Sequence, residues 1–479
     1  MAVIRMSLDD SHFVSKKPTE NATTPSSQPS TLLQTPPRIR QQVLSRNKKG
    51  LSKKGMLVVF IIAFVVTAMF GGRMLLKNTG LTPAGVGSLV PVFKPELKKD
   101  EQGKTNILLV GIDTRESGTV ELNTDTLILA SYDSTTNRIA MLSYPRDLAV
   151  SYPGRTDLVR INSIYAIAEN KKKGTGLEKL QEVVETVSGQ KIHYYAMVDL
   201  KGFIDAIDVV GGIDIFLEND LSGLYPTEGF LYKRVSFSRG WNTMNGQTAL
   251  EYSRIRKDVK PASEGSDFGR ARRQQKVIQA VIDKVSKSET LLDAGKVLEL
   301  VSVASKNLKV SKFGTEDIQA GIAIIKDKGK PNSYSYVLDL YAGGDLARLI
   351  DVVNYNPYLL GPKTGANNWT EIQKFTRLYF NEPQLATMIK DVLIYTDGME
   401  SSTGKANSFK KQYYYADTVV SSQSVLGVNS RGSVYAVGGK QYEQVARFVA
   451  KELGLEFNPT LPEEIQVLDE KEFAVVAVF

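Results

Sequence analysis

Asn106-Ile107-Leu108-Leu109-Val110-Gly111-Ile112, Thr126-Leu127-Ile128-Leu129-Ala130-Ser131-Tyr132 and Arg138-Ile139-Ala140-Met141-Leu142-Ser143-Tyr144 follow one another closely, and each is an apolar run of strand length. Asp133-Ser134-Thr135-Thr136-Asn137, between the second and third runs, is turn chemistry, so those two pair as a hairpin. Downstream the period changes. Leu177, Leu180, Val183, Val184 and Val187 have helical spacing, as do Phe203, Ile204, Ile207 and Val210 before Gly211-Gly212. After Asp267, read as an N-cap, Val277, Ile278, Val281, Ile282 and Val285 mark a long amphipathic helix. Strands and helices interleave around a hairpin, which predicts an α/β fold with a mixed sheet between two helical layers.

The chain has 479 residues, 42% of them hydrophobic, enough for two or three domains with a sizeable core. Its formal net charge is +8, but the first 54 residues carry ten Lys or Arg against Asp9, Asp10 and Glu20. The rest is nearly neutral, which argues against a nucleic-acid-binding body. There is no cysteine, so neither a disulfide framework nor a thiolate metal site is available. The only histidines are His12, in the tail, and His193, in a strand-like run and read as structural. That argues against a serine-histidine triad.

Five segments follow from composition. Residues 1–54 read as a disordered, basic, cytoplasmic tail, too polar to offset the entropy of ordering. Residues 55–76 read as one transmembrane helix, with Met56-Leu57-Val58-Val59-Phe60-Ile61-Ile62 uncharged at its heart. Arg38, Arg40, Arg46, Lys48, Lys49, Lys53 and Lys54 precede the span, whereas only Arg73 and Lys77 follow closely. The positive-inside bias then leaves the body outside the cell membrane. Residues 77–104 are a Pro/Gly-punctuated linker, 105–383 the main α/β domain, and 386–479 a small second α/β domain.

One stretch concentrates charge: Tyr252-Ser253-Arg254-Ile255-Arg256, then Ser266-Asp267-Phe268-Gly269-Arg270-Ala271-Arg272-Arg273-Gln274-Gln275. The alternation of Arg254 and Arg256 suits one face of a strand, and the spacing of Arg270 and Gln274 one face of a helix. Guanidinium forks from two elements match a phosphate or pyrophosphate, although a solvated basic helix start also reads this way. Asp113 follows the first strand and Asp125 precedes the second. Each alone reads as a turn or cap residue, but together they suit a hard cation such as Mg2+. Tyr144-Pro145-Arg146-Asp147 places another Arg at a strand end. Two acids and a set of arginines are the parts of phosphoryl transfer, which needs no histidine.

From about Asn106 to Ala280 the chain resembles the LytR-CpsA-Psr family of bacterial cell-wall glycopolymer ligases. The matching stretches are Gly111-Ile112-Asp113-Thr114-Arg115 with Asp125-Thr126, Ser143-Tyr144-Pro145-Arg146-Asp147, Arg160-Ile161-Asn162-Ser163, Val209-Val210-Gly211-Gly212-Ile213, Met244 to Arg256, and Asp267 to Gln274. The final segment resembles, more weakly, the family's C-terminal accessory module. The resemblance implies a transferase that moves a glycopolymer from a polyprenyl pyrophosphate carrier to a peptidoglycan hydroxyl. It implies that Asp113 and Asp125 hold Mg2+, and that Arg146, Arg254, Arg256 and Arg270 bind the pyrophosphate with support from Asp267 and Gln274. Asp113, Arg146, Asp267 and Arg270 would form the catalytic set, and an apolar cavity between sheet and helices would take the lipid tail. Two departures stand out. Asn123 occupies a position where the family commonly has Arg, so one phosphate contact is either lost or supplied by Arg115. The stretch from Arg256 to Asp267 is longer than usual and is expected to be a mobile loop that alters specificity. A lipid-pyrophosphate hydrolase and a non-enzymatic wall-binding or regulatory protein are the alternatives.

Overall fold

The computed structural model describes residues 96–113, 122–227, 231–286, 308–311, 315–340, 349–355, 357–389, 392–413, 418–421, 431–462 and 474–479. The expected tail, the expected spanning helix and most of the expected linker lie outside these residues, as does Arg115. Among the described residues no helix is long and apolar enough to cross a membrane.

The three opening runs are β1 (Lys104–Ile112), β2 (Thr124–Asp133) and β3 (Arg138–Ser143). β2 and β3 form the expected hairpin, with Asp133 Oδ1 accepting the Thr135 N–H at 2.8 Å in the turn. β4 (Ala149–Val150) and β5 (Val159–Arg160) make a small ribbon before helices α1 (Ile164–Lys171) and α2 (Gly176–Ser188). β6 (Tyr194–Val198) runs parallel to β1, and α3 (Leu200–Val209) follows it. His193 extends this pairing: its N–H donates to the Asn106 carbonyl and its Nδ1 accepts the Asn106 N–H at 3.0 Å.

Next come β7 (Ile213–Leu217), β8 (Leu221–Pro226), β9 (Tyr232–Phe237), β10 (Gly240–Met244), α4 (Gly246–Arg254), β11 (Lys257–Lys260) and α5 (Asp267–Ser286). β7 pairs with β10, and β8 lies between β9 and β11. β12 (Leu308–Val310), α6 (Thr315–Lys328) and β13 (Asn332–Val337) complete the main sheet, whose order is β12-β6-β1-β2-β3-β13. The mixture of parallel and antiparallel neighbours agrees with the sequence pattern.

Both faces of this sheet are covered, so its strands are apolar on both sides. Leu108, Val110, Leu127, Leu129 and Leu142 point to α1, α2 and α7 (Thr370–Asn381). Ile107, Leu109, Ile128, Ala130, Ile139 and Met141 point the other way, towards α5 and α6. The result is the expected three layers.

β14 (Ile350–Tyr355) and β15 (Tyr358–Pro362) form a hairpin before α7, and α8 (Pro383–Met388) follows. A second sheet, ordered β17-β16-β20-β18-β19, is built from β16 (Val392–Tyr395), β17 (Thr418–Ser421), β18 (Ser433–Tyr435), β19 (Glu456–Phe457) and β20 (Val475–Val478), with α9 (Glu400–Gln412) and α10 (Glu443–Leu453). The expected boundary between 383 and 386 falls inside α8. Moreover, Val392, Ile394, Phe409, Val445 and Val475 belong to the same buried cluster as Leu108 and Leu142. One face of the second sheet thus shares the main core, while Leu393, Tyr435, Val437, Val476 and Val478 form a buried cluster of their own.

Candidate active site

The strand ends and helix starts deliver charge to one place. Gly111 leaves the β1–β2 ladder at a bulge, where a Cβ would lie 2.9 Å from Thr126. Such an irregularity re-aims the chain that follows, here Asp113. Asp125 stands in β2 and Arg146 in the turn that Pro145 imposes after β3.

Arg254 and Arg256 were expected on a strand. Instead Arg254 ends α4, and Arg256 sits between that helix and β11. The helix is set by Asn245, whose Oδ1 accepts the Thr248 N–H at 2.9 Å. Two residues of alternation are too short to distinguish a strand from a helix end. The expected N-cap is also corrected. Ser266 Oγ accepts the Gly269 N–H at 3.0 Å, so Ser266 caps α5 and Asp267 is left to face the arginines. Nor is the stretch from Arg256 to Asp267 a plain loop: β11 pairs with β8, and a 3-10 turn spans Ala262–Glu264.

Around this centre the pairs interlock. Arg254 donates to Asp113 at 2.6 Å and Arg146 to Asp125 at 3.1 Å. Asp267 takes Arg256 at 3.2 Å, Arg270 at 3.3 Å and Arg146 at 3.4 Å. With Asp147, 3.5 Å from Arg146, four guanidinium groups thus meet four carboxylates. Burial raises the Asp267 pKa, but the charges of Arg270, Arg146 and Arg256 more than reverse this and hold it below its ordinary value. Burial lowers Arg270, which Asp267 partly offsets; a guanidinium stays charged regardless. Burial also opposes the charge on Arg146, yet Asp125, Asp267 and Asp147 together raise its pKa.

Behind the charges lies a cavity of about 320 Å³. Asp113, Asp125, Arg146, Arg254, Arg256, Arg270 and Gln274 line its polar part; Ile107, Leu109, Ile128, Met141, Val277, Val281 and Ile282 line the rest. It therefore runs between the main sheet and α5. A second cavity of about 260 Å³ shares Asp125, Arg146, Arg270 and Gln274 and adds Tyr144, Asp147, Tyr358 and Leu360. The charged cluster is a wall common to both.

Two aspartates at this wall are hard oxygen donors, and no group of three or more acidic or histidine side chains suited to a metal occurs among the described residues. A Mg2+ fits such a pair only if ligand phosphate and water complete its shell, which is its usual habit in phosphoryl-transfer sites.

Arg273 was quoted in the charged stretch but given no role. It is 1% exposed. Its Nε donates to the Tyr252 carbonyl at 3.0 Å, Nη2 to the Ile255 carbonyl, and Nη1 to the Glu264 carbonyl at 2.8 Å and carboxylate at 2.9 Å. Carbonyls at the end of α4, which lack helical partners, are thereby satisfied. The signal was phase: Arg273 precedes Val277, Val281 and Val285 at intervals of four, on the buried face of α5. Arg160 was quoted but given no role; it pairs with Asp147 at 3.0 Å.

The model of the LytR_cpsA_psr family matches residues 88–327, just over half of the chain. The chain belongs to the LytR-CpsA-Psr family. Among the relatives of this LytR-CpsA-Psr protein is the polyisoprenyl-teichoic acid–peptidoglycan teichoic acid transferase TagU of Oceanobacillus iheyensis, 30% identical over 276 residues, covering 55% of this chain and 78% of the relative. TagV of Bacillus subtilis, a transferase of the same name, is 30% identical over 271 residues, covering 55% and 65%. The crystal structure of B. subtilis TagV aligns with 25% identity and a TM-score of 0.43 over 59% of this chain and 99% of that one. The family match ends before the second sheet.

Proposed function

We propose that this LytR-CpsA-Psr protein is a membrane-anchored, Mg2+-dependent phosphotransferase acting at the outer face of the cell membrane. Its donor is a glycopolymer on polyprenyl pyrophosphate and its acceptor a peptidoglycan hydroxyl. The observation that carries the reading is the opening of an arginine-lined mouth into an apolar cavity, which suits an anion joined to a long hydrocarbon. Two transferases of teichoic acid among the relatives support the same class of donor and acceptor. The apolar segment 55–76 supports the anchor.

In this reading the prenyl chain lies among Ile107, Leu109, Ile128, Val277 and Val281, and the sugar end leaves by way of the second cavity. Arg146, Arg254, Arg256 and Arg270 hold the pyrophosphate oxygens, and Asp267 keeps three of these cations aimed. The acceptor hydroxyl oxygen bonds to the phosphorus that carries the glycan. The bond from that phosphorus to the bridging oxygen breaks, polyprenyl phosphate leaves, and the hydroxyl proton passes to solvent. A phosphodiester remains. Mg2+ held by Asp113 and Asp125 would neutralise charge on the phosphoryl oxygens. Arg146 and Arg270 are placed to stabilise the charge that develops as the bond breaks.

The test uses full-length protein in liposomes with a lipid-linked donor, Mg2+ and peptidoglycan. Asp113→Asn should lower transfer by roughly 100-fold or more while leaving the fold intact. Undiminished transfer by that variant refutes the assigned role. Equal phosphate release with and without peptidoglycan would instead indicate hydrolysis.

A further inference from the structure

The ribbon of β7 and β10 has one face that the proposed chemistry does not use. Ile213, Ile215 and Leu217 turn inward against Val277, Val281 and Val285 of α5. The opposite face exposes Trp241 (74%) and Phe216 (49%). These two are cross-strand partners, with ring centroids 5.5 Å apart and an edge-on interplanar angle of 66°. The next pair along the same face is Thr243 and Asp214, where the hydroxyl donates to the carboxylate at 2.6 Å. Lys284 of α5 brings its ammonium within 3.8 Å of that carboxylate.

We infer that this face is a glycan platform, on which the Trp241 ring takes the C–H face of a pyranose and Asp214, Thr243 and Lys284 take its hydroxyls. Contiguous exposed aromatic surface, unlike a scattered apolar side chain, marks a place where something docks. Beside it stand an acceptor, a hydroxyl and a donor, which match the polar rim of a sugar ring. A bilayer is a poor occupant, because the exposed Asp214, Glu218 and Asp220 outnumber the neighbouring Arg239 and Lys284, and anionic lipid is not attracted to a net acidic edge. The identification of the glycan as the peptidoglycan acceptor rests on the function proposed above. Asp267 opens α5 and Lys284 lies near its end, about 25 Å apart along the axis. Only a polymeric acceptor spans platform and active site together, so the platform holds the strand while the mouth selects the hydroxyl.

The chain contains two tryptophans, and the other, Trp369, is 7% exposed. Trp369 emits but is shielded, so a change in intrinsic fluorescence on adding ligand reports chiefly on Trp241. The probe is soluble, peptide-free glycan strands released from peptidoglycan. A saturable change is expected, with Trp241→Ala weakening strand binding roughly tenfold or more and Trp241→Tyr restoring most of it. In the transfer assay, Trp241→Ala should raise KM for polymeric acceptor, with kcat and donor binding unchanged. Strand binding, followed by co-sedimentation, that survives Trp241→Ala overturns the platform, as does an absence of strand binding in a protein that binds donor. Loss of donor binding with strand binding intact would instead overturn the transferase reading and leave the platform standing.

Discussion

Arg273 never touches the cavity, yet it fixes two residues that do. Its fork joins the end of α4 to the Ala262–Glu264 turn, and so sets the backbone on either side of Arg254 and Arg256. Removing Arg273 takes a donor from the buried Tyr252 and Ile255 carbonyls, at about 1–3 kcal/mol for each group left unsatisfied. Arg273→Met should lose stability in that range by urea denaturation. Arg273→Lys should recover little, since one ammonium cannot reach three carbonyls in a plane. At this scale the sequence was informative about kind and poor about direction. Asp113, Asp125, Arg146, Arg254, Arg256, Arg270 and Gln274 were picked by residue type, and all line one cavity. In Arg270-Ala271-Arg272-Arg273 the three arginines are chemically alike. Only the helix phase sends one to the core, one to Asp267 and one to Asp339.

Elements were legible where their period was long and misjudged where it was short. The helix beginning at Asp267 carried five apolar residues over more than two turns, whereas Arg254-Ile255-Arg256 carried two residues of alternation. Gly269 shows how tightly those elements meet. A Cβ there would lie 2.5 Å from the Glu264 carbonyl oxygen. Gly→Ala inside a helix ordinarily gains about 1 kcal/mol. Displacing a packed backbone costs about 1–3 kcal/mol. The clash should win: Gly269→Ala is expected to lower the urea midpoint and to weaken donor binding together, by shifting Glu264 away from Arg273. At the edge of β1 and β6, burial lowers the His193 pKa below its ordinary value, and neutral Nδ1 accepts the Asn106 N–H. The folded form therefore resists protonation. Its stability is complete above the unfolded pKa of about 6.5 and declines as pH falls below it. Urea melts near about pH 7.5 and 5.5 should show that loss, and His193→Asn, which keeps an acceptor, should flatten it.

For the whole molecule, the interleaving of strand and helix was enough to predict three layers, because each apolar run needs two covered faces. The cavity was expected only from the family resemblance, not from the apolar residues themselves. Ile107, Leu109 and Ile128 would look the same in sequence had α5 closed on them without a gap. Nor does the sequence show that one face of the second sheet packs into the core of the first. A sheet can be complete in its hydrogen bonds and still depend on a neighbour for its core. Lys104 Nζ donates to the Phe380 carbonyl at 2.8 Å, and Arg138 to the Asn381 carbonyl at 2.7 Å. These bonds tie the end of α7 to the main sheet, and Leu385 and Ile389 carry the buried cluster onward to Val392 and Ile394. Two bodies joined in this way share one melting event. Scanning calorimetry should show the two sheets melting in one endotherm rather than in two resolved ones. A donor that fills the cavity should move that endotherm as one, so ligand bound beside Asp113 should be felt as heat resistance at Val475, on the other sheet.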